Sequence, residues 1–342
     1  MKALRLTAVG SPIELHDIPI PEIGDGDVLV QVRAAGICHS DAHYRSGRSP
    51  ARPLPLVLGH EVAGVVERVG KGVTHLRPED RVCLHYLTVC GYCDQCIRGN
   101  EQFCDTGSML GHYRDGGWAE YIAVPALNAV QLPDEIPFEH GAALMCSAAT
   151  SFHALRRGRL AKGETLAVFG AGGLGMAAVQ IGKAFGASQI YAVDLDPVKL
   201  AHASELGAIP VNASLADPVD ALRELTRGAG VDVALEVIGL PITMQQAVKS
   251  LAVHGRAVIA GLAAEPLEID TYGDLLGREA EVIGANDHLR SELTELIELV
   301  RQDSLDMSGV VRQTVPLEAE TVNGILDQLD RYAAPERTVI VP

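Results

Sequence analysis

Over the first 150 residues, short apolar runs rich in β-branched residues are separated by Gly, Pro and Asp. This pattern is typical of short strands joined by long loops. The clearest runs are VLVQVRAAG, EVAGVVERVG, RVCLHYL and AEYIAVP. We therefore expect the N-terminal part of the chain to form a β-rich unit.

The pattern changes near residue 164, where apolar runs of strand length begin to alternate with helical stretches. Six candidate strands follow one another: ETLAVFG, QIYAVDL, AIPVNA, VDVALEV, RAVIAGL and EVIGAN. Nearly continuous apolar strands separated by helices predict a parallel, doubly wound α/β sheet covered on both faces. We expect this six-stranded sheet to end near residue 287.

The C-terminal segment has a third pattern. SELTELIELVRQ and PLEAETVNGILDQLDRY have helical periodicity, and the chain ends in the strand-like RTVIVP. We predict that residues 1–149, completed by 288–342, form a first domain and that residues 150–287 form a second, with a cleft between them. A chain of 342 residues is also too long for one ordinary core.

Charge and hydropathy narrow the classes of function. The chain has 28 Lys and Arg residues against 44 Asp and Glu, a net charge of −16, which disfavours binding to nucleic acid or to an anionic membrane surface. No apolar run approaches the roughly 18 residues of a membrane span, and the N-terminus has no signal-peptide pattern. We expect a soluble, cytoplasmic protein that acts on a small molecule.

Four cysteines lie close together in CGYCDQCIRGNEQFC: Cys90, Cys93, Cys96 and Cys104. Four thiolates at this spacing are the donor set of a closed, structural zinc site. A disulfide framework is the alternative, but cysteines three residues apart bridge poorly and the chain shows no secretory context. Because four thiolates leave the metal no open position, we expect the chemistry to occur elsewhere.

A glycine-rich turn follows the first strand of the second domain. TLAVFG leads into GAGGLG and an apolar helix, and Asp194 ends the next strand. This context indicates a dinucleotide site in which the helix N-terminus binds the pyrophosphate. Asp194 would accept hydrogen bonds from a ribose and repel a 2′-phosphate, which favours NAD over NADP. The alternatives are a turn that binds nothing, a carboxylate that caps the strand end and a solvated lysine. The candidate contacts are Gly170, Gly172, Gly173, Leu174, Gly175, Asp194 and Lys199.

Three further donors, Cys38, His60 and Cys146, are distributed along the chain. Two thiolates and one imidazole leave a fourth position open, as in catalytic zinc sites. Their spacing alone does not show that they converge, and each taken singly reads as a buried cysteine or a hydrogen-bonded histidine. The cysteine count supports the grouping, because of seven cysteines only Cys83 remains, and we interpret it as a small buried residue.

The chain resembles the zinc-containing medium-chain alcohol dehydrogenase family over nearly its whole length. The matching motifs are GICHSDAH, GHEVAGVVERVG, the four-cysteine segment, DGGWAEY, ALMCSAATSFHAL, and VFGAGGLGMAAVQ followed by VDLD. The resemblance implies a GroES-like catalytic domain and a Rossmann domain. It also implies reversible, NAD-dependent oxidation of a primary or secondary alcohol, one catalytic and one structural zinc per chain, and a homo-oligomer, with a tetramer favoured and a dimer possible.

The resemblance also implies roles for residues around the catalytic zinc. Cys38, His60 and Cys146 would bind it, and Glu61 would lie beside it as a carboxylate able to approach or replace a ligand. A surface strand residue is the alternative for Glu61. Asp41 would accept the other ring N–H of His60, as residues behind metal ligands do, although by itself it reads as a helix cap.

Further roles concern proton transfer and the coenzyme. Ser40 would bond the substrate oxygen and begin a proton relay, through the nicotinamide ribose, to His43. The resemblance places His39 at the coenzyme pyrophosphate and Thr150 beside the nicotinamide. Arg337 matches a phosphate-binding position less closely, and we leave it outside the predicted site.

Five residues are candidates for the substrate pocket: Tyr44, Tyr86, Leu87, Met109 and Leu110. Their apolar or amphipathic character predicts a small to medium hydrophobic alcohol, with core packing as the alternative for each. No group that would bind a carboxylate or an ammonium is evident, which disfavours an amino-acid alcohol.

Two other functions stay open. One is a polyol or other specialised zinc dehydrogenase, although related polyol enzymes often have Glu where this chain has Cys146. The other is a noncatalytic zinc and dinucleotide sensor, which has no evident need for an open zinc and a proton relay.

Overall fold

Strands dominate the first part of the chain and alternate with helices in the second. The computed structural model describes residues 1–331 and 337–342. Within these residues the strands are β1 (Lys2–Leu6), β2 (Glu14–Asp17), β3 (Asp27–Gly36), β4 (Leu56–Val57), β5 (Glu61–Val69), β6 (Arg81–Leu84), β7 (Leu87–Thr88), β8 (Ser108–Met109), β9 (Tyr121–Pro125), β10 (Ala129–Gln131), β11 (Thr165–Phe169), β12 (Gln189–Asp194), β13 (Ile209–Asn212), β14 (Val231–Glu236), β15 (Leu251–Ile259), β16 (Glu281–Gly284), β17 (Val311–Pro316) and β18 (Arg337–Val341).

Helices occur in both parts of the chain. The α-helices are α1 (His39–Ser46), α2 (Asp94–Ile97), α3 (Phe138–Ala143), α4 (Ala149–Arg157), α5 (Gly173–Ala184), α6 (Pro197–Glu205), α7 (Pro218–Leu225), α8 (Pro241–Lys249), α9 (Arg290–Arg301) and α10 (Ala319–Asp330). The 3₁₀ turns are Glu101–Phe103, Ala126–Asn128 and Leu276–Arg278, and the π turns are Leu144–Ala148 and Thr271–Leu275.

The described residues divide into two units, each with its own hydrophobic core. The first unit comprises Met1–Cys146, Leu289–Arg301 and Met307–Pro342. The second comprises Ser147–His288 and Gln302–Asp306.

The main sheet of the first unit has the strand order β10-β6-β5-β3-β18-β17, and β9 also pairs with β3. The four apolar runs of the N-terminal region form β3, β5, β6 and β9, as predicted. The antiparallel pair of β3 and β5 brings Gly36 opposite Glu61 at its end. This pairing matters for the site, because Cys38 follows β3 and His60 directly precedes β5.

The C-terminal strand RTVIVP forms β18 in the sheet of the first unit. It pairs antiparallel with β3, with Val339 opposite Gly36 and Ile340 opposite Ala35, and parallel with β17. These four residues are buried or nearly so. A strand from the end of the chain therefore lies next to the strand that leads to Cys38.

The second unit contains a six-stranded sheet in the order β13-β12-β11-β14-β15-β16. All five neighbouring pairs are parallel, and all six predicted strands are present. The sequence-based expectation of a doubly wound parallel sheet is therefore confirmed. In this topology the strand order reverses between β11 and β14, and ligands bind outside the carboxyl ends of the strands at such a point.

Two aspartates define helix starts in the second unit. Asp196 precedes a proline and accepts the N–H of Val198 at 2.8 Å at the start of α6. Asp217 likewise accepts the N–H of Val219 at 2.8 Å at the start of α7. Such caps contribute about 1 kcal/mol each. None of the helices in the described part of the chain combines the length and apolar character that a bilayer crossing requires.

Candidate zinc and coenzyme sites

The four clustered cysteines form one compact group of sulfur atoms. The Sγ atoms of Cys90, Cys93, Cys96 and Cys104 all lie within 4.8 Å of one another, and the cysteines are not disulfide-bonded. The Cys90–Cys96 and Cys93–Cys104 sulfur pairs are each 3.9 Å apart. A tetrahedral zinc with bonds of 2.3 Å requires sulfur separations of about 3.8 Å. The four residues therefore fit a closed zinc site.

Backbone groups around this cluster favour thiolates. The N–H of Cys90 donates to Cys104 Sγ and the N–H of Cys93 donates to Cys90 Sγ, both at 3.3 Å. Hydrogen bonding from the backbone of Tyr92 lowers the pKa of Cys90 to about 6. Burial raises the pKa of Cys96 to about 12, and a bound divalent cation would overcome that preference for the thiol.

The three dispersed donors also converge, together with Glu61. The ligand atoms of Cys38, His60, Glu61 and Cys146 lie within 4.8 Å of one another, and all four side chains are buried. The Sγ atoms of Cys38 and Cys146 are 3.8 Å apart, again the edge of a tetrahedral zinc site. Two cysteines and one histidine supply three ligands and leave a fourth position for a substrate oxygen.

Local backbone structure presents each of these donors. Cys38 caps the N-terminus of α1, His60 follows Gly59, whose φ of +90° places it in the left-handed region, and Cys146 lies in the π turn Leu144–Ala148. A π turn inserts one extra residue into a helix and is frequent at functional sites. Here it precedes α4 directly.

Asp41 contacts two of the candidate metal ligands, Cys38 and His60. Its Oδ2 accepts the N–H of Cys38 at 2.8 Å and so closes the first turn of α1, and its Oδ1 lies 3.4 Å from His60 Nδ1. Burial alone would lower the pKa of His60, but the Asp41 carboxylate raises it well above the usual value. The carboxylate therefore lies at Nδ1, which leaves Nε2 to face a metal.

Glu61 is fully buried, so its alternative interpretation as a surface strand residue is wrong. A Cβ on Gly36 would lie 2.0 Å from Glu61 Oε2, so this glycine makes room for the carboxylate. Glu61 Oε1 lies 3.0 Å from Arg337 Nη1, which also donates to the carbonyl of Ile37 at 3.3 Å. Burial outweighs the opposing effect of Arg337 and raises the pKa of Glu61 to about 7.

The predicted relay residues lie on α1, beside the dispersed donors. Ser40 Oγ is 3.9 Å from Cys38 Sγ, and His43 lies one helical turn further along the same face. The rings of His39 and His43 have centroids 4.8 Å apart. Burial, with a smaller effect from His39, lowers the pKa of His43 below 6.5. His43 is therefore a neutral imidazole at pH 7, which can accept a proton.

Two of the five pocket candidates lie close to His60. The ring of Tyr86 meets that of His60 edge-on at 5.3 Å, and the ring of Tyr44 does so at 6.3 Å. The Tyr44 hydroxyl lies 3.6 Å from Met109 Sδ. His112, which the sequence analysis did not select, stacks on Tyr44 at 4.3 Å. Two aromatic rings therefore lie beside His60, a candidate ligand.

The other pocket candidates include one core residue. Leu87 pairs with Met109 across β7 and β8, and both are partly buried. Leu110 is fully buried within the core cluster of the first unit. The same cluster contains Tyr44 and Tyr86, so the assignment of Leu110 to the pocket stays a prediction.

The glycine turn of the second unit has the geometry of a dinucleotide-binding turn. Gly170 has a φ of +107°, a backbone conformation that L side chains rarely adopt. A Cβ on Gly175 would lie 1.8 Å from the Gly170 carbonyl oxygen, whereas one on Gly172 would meet nothing within 4 Å. Gly172 and Gly173 are exposed at the start of α5, with Leu174 partly buried. The turn thus leaves open backbone at the N-terminus of a twelve-residue helix.

Asp194 holds the glycine turn against the end of β12. Its Oδ2 accepts the N–H of Ala171 at 2.8 Å and its Oδ1 accepts the N–H of Asp196 at 3.0 Å. Its side chain is partly exposed, and so is that of Lys199 on α6. Each carboxylate oxygen has a second lone pair, so Asp194 can make both of these hydrogen bonds and still accept one from a ribose hydroxyl.

Thr150 lies on α4, and the residue that follows it contacts the glycine turn. The hydroxyl of the adjacent Ser151 donates to the carbonyl of Leu174 at 2.8 Å. The coenzyme contacts of Thr150, Lys199 and His39 stay predictions.

Two family models match the chain. Residues 24–134 match the alcohol dehydrogenase GroES-like domain, and residues 173–302 match the zinc-binding dehydrogenase domain. The NAD-dependent alcohol dehydrogenase of Sulfurisphaera tokodaii is 34% identical over 364 aligned residues that cover 100% of both chains. The chain belongs to the zinc-containing medium-chain alcohol dehydrogenase family.

Other members of this zinc dehydrogenase family differ in their named substrates. The L-threonine 3-dehydrogenase of Symbiobacterium thermophilum is 37% identical over 285 residues, which cover 81% of this chain and 80% of that protein. The crystal structure of the alcohol dehydrogenase from Aeropyrum pernix is 31% identical, covers 100% of both chains and superposes with a TM-score of 0.90. The predicted combination of a GroES-like and a Rossmann-like domain is therefore confirmed.

Three residues near the candidate metal ligands were not selected in the sequence analysis. Arg337, which the sequence analysis left outside the predicted site, contacts Glu61, His112 stacks on Tyr44, and Trp118 contacts both Gly36 and Gly59. Only Trp118 had a local signal, because it is the single tryptophan of the chain and follows two glycines in DGGWAEY. The other two contacts depend on segments that are distant in sequence.

Proposed function

We propose that this chain is a zinc- and NAD-dependent alcohol dehydrogenase that interconverts a primary or secondary alcohol with its aldehyde or ketone. The observation that carries the proposal is the open donor set of Cys38, His60 and Cys146, whose thiol sulfurs are 3.8 Å apart. The exposed glycine turn at the N-terminus of α5 supports the second half of the proposal, because it suits a pyrophosphate.

The three ligands and the residues behind them would prepare the alcohol for oxidation. Zinc, when bound, supplies a Lewis acid that lowers the pKa of an alcohol hydroxyl. Asp41 keeps His60 oriented with Nε2 toward the metal. Ser40 accepts the hydroxyl proton and passes it toward His43, whose imidazole is neutral at pH 7. Glu61 stays paired with Arg337 and is close enough to take part in ligand exchange.

The second unit would hold the coenzyme. NAD, when bound, supplies the hydride acceptor. The open backbone from Gly172 to Leu174 would bind the pyrophosphate, Asp194 the adenosine ribose, and Lys199 and Thr150 further parts of the coenzyme. We accordingly assign residues 150–287 to the NAD-binding domain and residues 1–149 with 288–342 to the catalytic domain.

We also propose two zinc ions per chain and a homotetramer, with a dimer as the alternative. Within the described residues β16 is the last strand of its sheet and three of its four residues are exposed. Tyr92, Ile97 and Phe103 around the four-cysteine site are exposed apolar side chains. An open strand edge and exposed apolar side chains are common at subunit interfaces. Light scattering of the purified protein measures the assembly directly.

A specialised dehydrogenase is the second candidate, since two relatives are named L-threonine 3-dehydrogenase. Cys146 and the apolar character of Tyr86, Leu87 and Met109 favour a simple alcohol over a polyol or an amino-acid alcohol. A noncatalytic sensor is disfavoured because it would not need Ser40 and His43 beside an open zinc site.

A substrate panel tests these alternatives. NADH formation would be measured with primary, secondary, cyclic and aromatic alcohols, with polyols and with L-threonine, at equal concentrations of the zinc-loaded protein. We expect the largest kcat/KM for a simple alcohol. A preference for L-threonine or for a polyol would support the specialised enzyme, and no turnover with any of them would favour a sensor.

A further inference from the structure

The segment Asp115–Trp118, which we call the DGGW clasp, runs along the residues that precede His60. The N–H of Gly116 donates to the carbonyl of Val57 and that of Gly117 to the carbonyl of Gly59, both at 2.8 Å. The N–H of Trp118 donates to the carbonyl of Leu58 at 3.0 Å. The Asp115 carboxylate accepts the N–H of Val57 at 2.9 Å. Four hydrogen bonds therefore fasten the clasp to the segment that carries the histidine ligand.

The two glycines of the clasp allow this close approach. A Cβ on Gly116 would lie 2.2 Å from the carbonyl oxygen of Gly59, and a Cβ on Gly117 would lie 2.2 Å from Val62 Cγ2. At such distances a side chain on Gly116 would displace the backbone of Gly59, and one on Gly117 would displace the Val62 side chain. The GG pair of the motif is therefore a requirement of packing beside His60.

The indole of Trp118 contacts both segments that carry metal ligands. Its Nε1 donates to the carbonyl of Gly36 at 3.1 Å, two residues before Cys38. Its ring covers Gly59, where a Cβ would lie 2.2 Å from Cδ1, directly before His60. The side chain is fully buried. One rigid aromatic ring thus spans the ends of β3 and of the segment leading to β5.

We propose that Trp118 is a positioning residue for the catalytic zinc. Its N–H holds the end of β3 and its ring holds Gly59, so that together they set the separation of the Cys38 thiolate and the His60 imidazole. Trp118 acts through the backbone that presents these two side chains. The inference rests on the proposed function, in that Cys38 and His60 bind zinc.

Because Trp118 is the single tryptophan of the chain, a tryptophan analogue incorporated biosynthetically changes this residue alone. Replacement by benzothienylalanine keeps the shape of the ring and exchanges the N–H for sulfur, whereas 5-fluorotryptophan keeps the N–H and serves as the matched control. Trp118→Phe provides a genetically encoded counterpart. Val124→Ala, a fully buried position of the same core, controls for general loosening.

Two readouts report the metal centre directly. The rate of zinc transfer to a chromogenic chelator is measured for both sites. In every variant, the release rate of the four-cysteine zinc is the internal reference for that of the catalytic zinc. The absorption bands of cobalt(II) placed at the Cys38 site report its coordination geometry. Alcohol oxidation, measured as separate kcat and KM values, completes the comparison.

We expect benzothienylalanine and Trp118→Phe to release the catalytic zinc about 10- to 100-fold faster, the range seen when residues behind metal ligands are changed. We also expect shifted cobalt bands and a lower kcat with little change in KM. 5-Fluorotryptophan and Val124→Ala should behave as the unmodified protein. Equal zinc release from the benzothienylalanine and fluorotryptophan proteins, or equally fast release from Val124→Ala, would overturn the proposal. A parent protein that holds one zinc would instead refute the proposed catalytic site itself.

Discussion

Arg337 and Glu61 form a buried ion pair at the edge of the dispersed donor set, with Nη1 and Oε1 3.0 Å apart. Glu61 is completely buried and its ligand oxygen lies within 4.8 Å of the Cys38, His60 and Cys146 ligand atoms. Its carboxylate thus lies between a guanidinium and the candidate metal site. Glu61 can therefore lie near the candidate zinc site while Arg337 offsets the charge of its carboxylate.

Loss of Arg337 should therefore destabilise the first unit strongly. Arg337→Leu leaves the Glu61 carboxylate buried without its partner, which costs about 3–5 kcal/mol in the free energy of unfolding at pH values above the Glu61 pKa of about 7, and less at lower pH, where the carboxyl group is protonated. The double variant Arg337→Leu with Glu61→Gln removes both charges and should recover most of that loss. Denaturant unfolding followed by the fluorescence of the single, buried Trp118 reports this unit. Equal destabilisation of the single and double variants would contradict the importance of the charge pair.

His43 should produce an acidic limb in the pH profile of kcat. Its pKa is lowered from 6.5, so the imidazole is neutral at pH 7 and gains a proton only as the pH falls through a value below 6.5. Because the protonated ring cannot accept the proton from Ser40, kcat for alcohol oxidation should fall there.

His43→Gln tests this assignment. We expect the acidic limb to disappear and kcat at pH 7 to fall about 100-fold, the lower end of the range for general bases. An unchanged acidic limb in the glutamine variant would assign that ionisation to another group.

The glycine turn offers a matched pair of alanine variants. Gly175→Ala would bring a Cβ within 1.8 Å of the Gly170 carbonyl oxygen and should cost about 3 kcal/mol of stability. A Cβ added by Gly172→Ala meets nothing within 4 Å at a φ of −84°, so this variant should fold normally. Because the added methyl group lies on the open backbone proposed to bind the pyrophosphate, NAD should bind more weakly. Thermal unfolding and NAD titration distinguish the two effects. A Gly175→Ala protein with normal stability would show that the turn is less tightly packed.

Asp194 should determine the choice of coenzyme. Asp194→Ala removes a charge that would repel a 2′-phosphate and an acceptor for the ribose, so the ratio of kcat/KM for NAD to that for NADP should fall about 10- to 100-fold. Asp196→Asn is the control, because it removes a neighbouring charge and keeps an oxygen that can cap α6. An equal fall in both variants would attribute the preference to general charge in this region.

Local sequence patterns predicted the parts of the molecule that depend on near neighbours. The four clustered cysteines lie within fifteen residues, and the glycine turn lies between a strand and a helix, so spacing and periodicity suffice for both. The six strands of the second unit followed from their apolar runs for the same reason.

The dispersed site could not be assembled from spacing. Cys38, His60 and Cys146 meet only because β3 pairs with β5 and a π turn presents the third ligand. Family resemblance grouped them, and the structure brings them together. The contact of Arg337 with Glu61 had no signal in either segment alone, and the DGGWAEY motif marked Trp118 without indicating its contact with Gly36.

Zinc content tests the central claim most directly. We expect two zinc ions per chain in the parent protein, one in Cys38→Ala, which should also lose all alcohol oxidation, and one in Cys93→Ala, which should lose the other ion. Cys83→Ala is the matched control, because this cysteine is buried outside both groups and its loss should leave two. One zinc in the parent protein, or two in Cys38→Ala, would contradict a catalytic zinc held by Cys38, His60 and Cys146.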